Sequence, residues 1–147
     1  MTLYTSQQFI DQIMTHLHCT DLPHDNLYKM VEALFDETHY PDLVPHIVVE
    51  PTCYRLQLHE RGILIQERRT VQTKDVIYLL LEQVIHDSAY VMLLKKYSKD
   101  NITTHLKHTP EITGELMSII HQAFKKIGGI YDEWHRSGRF KELLNES

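Results

Sequence analysis

The segment from Thr52 to Met92 limits what this chain can fold into more than any other. CYRLQLHE (Cys53 to Glu60) and ILIQERR (Ile63 to Arg69) each alternate apolar and polar residues, the period of a strand with one buried face. Between them stands His59-Glu60-Arg61-Gly62. Gly62 takes positive φ without strain, so a short hairpin turn with a bulge is expected there, fixing the register of both strands. Alternation makes Leu56, Leu58, Ile63 and Ile65 the expected buried row. Immediately downstream, Ile77, Leu80, Leu81, Val84, Ile85, Ala89, Met92 and Leu93 recur on a helical face broader than a surface helix needs, and Tyr78 is placed to pack the hairpin onto it. This helix is expected to start at Thr73 as its cap, to carry Asp75 in its first turn where the helix dipole favours an acid, and to be touched from several sides.

The flanks read as cover for that unit. Thr5 can cap a helix whose Phe9, Ile10, Ile13, Met14 and Leu17 form one stripe, and after Pro23 the spacing of Leu27, Tyr28, Val31, Leu34 and Phe35 predicts a second helix. Residues 1–40 thus form a helical hairpin. Tyr40-Pro41-Asp42 and Pro45 stop the helix, and His46 to Glu50 supplies a third strand, giving a small sheet over 46–69. Ser98 to His108 reads as a polar connection. Thr109-Pro110-Glu111 is a strong helix start, Gly128-Gly129 a C-cap, and a last helix through Tyr131 and Trp134 breaks at Gly138 before Phe140, Leu143 and Leu144. The expected fold class is α+β in one domain of 147 residues: the helical hairpin, the sheet, and a bundle of about three helices over 73–145.

Charge is distributed unevenly. From Met1 to Glu60 two basic residues, Lys29 and Arg55, stand against nine acidic ones, a local charge of −7; the remainder carries thirteen basic and eleven acidic residues, so the whole is −5. An acid-rich unit repels nucleic acid and anionic membranes and draws basic protein surfaces. No basic-plus-apolar leader and no apolar run of about 20 residues is present, so a cytoplasmic protein is expected. Cys19 and Cys53 have no ligand-like spacing and read as free thiols.

Glycine-loop, GxSxG and HExxH signatures are absent, and no cofactor or metal is expected. Eleven histidines invite one enzymatic alternative, a small metal-dependent enzyme in which His121 folds back beside His105 and His108. Another alternative is a dimeric adaptor associating through the broad helix over 73–97. Monomer and homodimer both remain open. Glu67 and Arg68 read as part of an outward ion-pair ladder, and Trp134 beside Tyr131 as core or, less often, a binding anchor.

Tyr54 through the His59-Glu60-Arg61-Gly62 turn, then Arg69, Thr73, Asp75, Tyr78 and Trp134, resemble the Imm63 family of immunity proteins, encoded beside bacterial polymorphic or contact-dependent growth inhibition toxins. The similarity covers about the last two thirds of the chain. It implies a non-enzymatic protein that neutralises a cognate toxin C-terminal domain by binding it. Many such toxins are nucleases with basic clefts, which the N-terminal acid excess would suit, and Glu32, Asp36, Glu37 and Asp42 are the residues expected to meet the toxin.

Overall fold

The computed structural model describes residues 3–36, 38, 40–97 and 109–145. The order of elements is α1 (Ser6–Leu17), α2 (Leu27–Ala33), β1 (His46–Val49), β2 (Tyr54–Glu60), β3 (Ile63–Thr70), α3 (Thr73–Tyr97), α4 (Pro110–Ile127), α5 (Gly129–Ser137) and α6 (Arg139–Asn145). The fold is α+β, a three-stranded antiparallel sheet in the order β1-β2-β3 with helices against one face.

Local chemistry sets most boundaries. At α1, the Thr5 hydroxyl accepts from Gln8 N while the Gln8 side chain accepts from Thr5 N, a reciprocal capping box. At α4, Thr109 accepts from Ile112 N with Pro110 in the first turn, and Gly128 at φ +68° ends the helix. Gly138, at φ +78°, separates α5 from α6.

The start of α3 differs from the sequence expectation. Thr73 is the first helical residue, and its hydroxyl bonds the Tyr54 hydroxyl at 3.0 Å rather than capping its own helix. That Tyr54 oxygen also accepts from Tyr4 N at 2.6 Å, so one buried phenol ties the N-terminus, β2 and α3 together.

α3 is the core of the molecule. Val76 through Leu81 form an unbroken buried run, and α1, α2, α4 and α6 all pack on the helix. An ordinary amphipathic helix buries one stripe, whereas this one is enclosed on several sides. By length and composition α3 could cross a bilayer, but 67% of that apolar window is buried inside the fold. Its broad face, the surface considered for dimerisation, is therefore occupied by the chain's own helices.

The buried row of the hairpin also differs from expectation. Leu56 is buried and Leu58 half-buried, but Ile63 is 67% and Ile65 50% exposed. Register accounts for Ile65: Leu56 pairs with Arg68 and Leu58 with Gln66, which puts Ile65 in the row of Glu67 and Arg69, across the sheet from Leu56 and Leu58, and a bulge then leaves it without an opposite number, since His59 pairs with Leu64. The extra residue shifts the pattern by one, so Ile63, opposite Glu60, returns to the row of Leu58, and it is exposed because it stands at the end of the hairpin beside the turn. Arg61 (φ +52°) and Gly62 (φ +78°) form the two-residue turn, both with positive φ as a type I′ hairpin requires.

Candidate functional site

Two regions concentrate chemistry: the exposed tip of the β2–β3 hairpin, and a chain of polar side chains threaded from α3 to the surface through α5 and α4.

The tip is held rigidly. Asp42 Oδ1 accepts from Arg61 N at 2.8 Å, Leu43 N donates to the His59 carbonyl at 2.8 Å, and Asp42 bridges His59 as a short extension of the sheet. The buried His59 ring stacks on Tyr40 at 4.0 Å, and Tyr40 also contacts His46 edge-on at 4.8 Å. On this frame Leu43, Ile63, Leu64 and Ile65 stand in solvent, with Asp42, Glu60 and Arg61 exposed beside them. Toward the base of the hairpin, Arg55 joins Glu50 at 2.7 Å and Glu67 at 3.3 Å, while Arg69 approaches Glu67 at 3.7 Å. The hydrogen bond from Gln57 and then these arginines hold the Glu67 carboxyl below its ordinary value. Arg68 donates to the Leu143 carbonyl at 3.0 Å, fastening the sheet to α6.

The acids expected to meet a partner are arranged as follows. Glu32, on α2, is exposed; Asp36 is exposed and accepts from the backbone and hydroxyl of Thr38; Asp42 belongs to the hairpin tip; Glu37 lies outside the described residues. Asp36 is linked to the tip region through its carbonyl, which meets His46 Nε2 at 2.8 Å.

The residues carrying the family resemblance divide into two groups. Glu60, Arg61, Gly62 and Arg69 are exposed on the hairpin. Asp75, Tyr78 and Trp134 converge instead in the interior, around a residue that sequence reasoning missed: Arg139 pairs with the buried Asp75 at 2.9 Å and lies over the Trp134 ring at 4.7 Å, and that ring packs edge-on against Tyr78 at 5.6 Å. Trp134 is therefore half-buried against Arg139 and Tyr78 rather than standing free at the surface.

Glu82 and His135 were also missed. Glu82, 4% exposed on α3, bonds His135 Nδ1, lies 3.4 Å from the Tyr78 hydroxyl and faces His86 Nε2 at 3.7 Å. Burial, with the Glu82 charge second, pushes the Tyr78 phenol above its ordinary range. Burial lowers His86. His135 stacks on Phe124 at 4.1 Å and meets His121 Nδ1 through its Nε2 at 2.7 Å. His121 is exposed and lies in a surface cleft also lined by Lys125, Asp132 and Arg136.

His121 thus pairs with His135; His105 and His108 lie outside the described residues. Among the described residues no three His, Cys, Asp or Glu side chains are grouped as metal ligands. Cys19 and Cys53 are both free. No family model, curated protein or solved structure matches this chain.

Proposed function

We propose that this chain is an immunity protein that neutralises a cognate bacterial toxin domain by binding it in the cytoplasm, with no chemistry of its own. The observation that carries the reading is the outward display of the N-terminal acids: Glu32, Asp36, Asp42 and Glu60 are all exposed. Two basic residues in that part of the chain cannot offset the acid excess, and Arg55 is already paired with Glu50 and Glu67. A surface of this sign steers a basic partner toward it and can cover a cleft built to hold phosphate. The resemblance of the hairpin, of Asp75 and Tyr78, and of Trp134 to the Imm63 family supports the same reading.

Co-expression is the test. The toxic C-terminal domain encoded immediately upstream of this chain is expressed with and without it. Restored growth together with a co-purifying complex is the expected result; death of the cells in both cases overturns the proposal.

A further inference from the structure

We infer that the bulged tip of the β2–β3 hairpin is the apolar knob by which this chain docks into its partner, and that the partner surface is an apolar socket bordered by basic side chains. The inference rests on the toxin-binding reading and adds to it an apolar contact beside Asp42, which neither the resemblance nor the acidic residues specify.

Four of the eight large apolar side chains exposed among the described residues, Leu43, Ile63, Leu64 and Ile65, are at this one place. Single exposed aliphatics are ordinary on any surface, but a group of them within one turn is the usual mark of an interaction site. The bulge matters here. Without the extra residue at Ile65 the strand would alternate regularly, and bulges recur where a strand re-aims a side chain toward a functional task. A second observation is the bracing of the tip. The hydrogen bonds from Arg61 N to Asp42 and from Leu43 N to His59, with the Tyr40–His59 stack beneath, hold the tip in one shape before any partner arrives. A pre-ordered contact loses little conformational entropy on binding.

The identity of the occupant follows from charge. Asp42 and Glu60 border the apolar group, and Asp36 is coupled to the same region through His46, against the single exposed cation Arg61 at the turn. An apolar centre with an acidic rim fits a protein surface of the opposite rim charge, and it disfavours a second copy of itself, whose rim would carry the same sign. The other edge of the sheet is unsuited to this role: β1 has four residues, follows Pro45, and has Ile47 N already bonded to the Leu34 carbonyl at 3.0 Å.

The experiment measures binding of the neighbouring toxin domain to the full chain and to a variant carrying Ile63→Thr, Leu64→Thr and Ile65→Thr, which keeps β-branched residues in the strand while removing most of the apolar surface. Ile130→Thr, an exposed aliphatic on α5, is the control. The expected result is a dissociation rate at least tenfold faster for the triple variant, an unchanged control, and an unaltered melting temperature for both. Wild-type affinity in the triple variant overturns the inference and leaves the inhibitor reading standing, whereas a wild-type chain that binds no toxin ends both. A dimer in light scattering that the triple variant dissolves while its toxin affinity is retained assigns the knob to self-association and also overturns the inference.

Discussion

Arg139→Ala should destabilise this protein by about 2–4 kcal/mol, although the arginine side chain is 28% exposed. Asp75 is 5% exposed, and its carboxylate lies 2.9 Å from the guanidinium. Removing one member of a buried pair leaves the other charge desolvated, which costs about 3–5 kcal/mol when both are fully buried. Partial exposure of Arg139 reduces that figure, and losing the contact with the Trp134 ring adds about 0.5–1 kcal/mol. Urea denaturation reads the change as a midpoint lowered by about 1–2 M at an ordinary slope. Arg139→Met, which keeps most of the packing, should lose nearly as much as alanine if the stranded carboxylate dominates. The paired variant Asp75→Leu with Arg139→Leu should cost less than Arg139→Ala alone, because no buried charge remains. A loss below about 1 kcal/mol for Arg139→Ala, or single costs that simply add in the paired variant, would refute this account of the interior.

Three further outcomes are expected. Tyr54→Phe removes the oxygen that serves both Tyr4 N and Thr73 Oγ1, and should lower stability by about 1–2 kcal/mol in the same denaturation assay; a neutral result would show that the bridge carries no net energy. Burial holds His16 and His86 below the ordinary imidazole value of 6.5, so below that value the unfolded chain binds more protons and stability should fall as pH drops from about 7 to 5; His16→Gln should flatten part of this slope, and an unaltered profile contradicts the assignment. His135→Phe keeps a ring against Phe124 but removes the nitrogen that bonds the buried Glu82, and should lower stability by about 1–3 kcal/mol; a neutral result would show that Glu82 does not depend on that bond.

Features governed by residues close in sequence were legible without the structure. The Thr109-Pro110 start of α4, the glycine stops at Gly128 and Gly138, and the turn at Gly62 each depend on one or two backbone torsions, and each is where the sequence placed it. The α+β class followed from the change of period between Arg69 and Thr73. The exposed aliphatic tip was not legible: a bulge was expected at the turn, but which side chains it leaves outward depends on the register, and Leu58 opposite Gln66 exists only in the pairing of two strands. Asp75 with Arg139 and Glu82 with His135 join residues 64 and 53 positions apart, and neither pair has a local signature. One hint was present: Glu82 interrupts the apolar run from Val76 to Ile85, and an acid inside such a stripe requires a partner. Of the residues on which the resemblance rests, Asp75, Tyr78 and Trp134 gather around Arg139, while Glu60, Arg61 and Gly62 stand exposed at the hairpin tip with the aliphatics around them; nothing along the sequence separates the two groups.

The most direct test of the inhibitor proposal is the association rate between the purified chain and the neighbouring toxin domain, followed across ionic strength. A one-to-one complex should form, with an association rate that falls at least tenfold between about 0.02 and 0.5 M salt, as steering by the exposed acids requires. No complex, or an association rate indifferent to salt, would contradict the assignment of these exposed acids to a basic toxin.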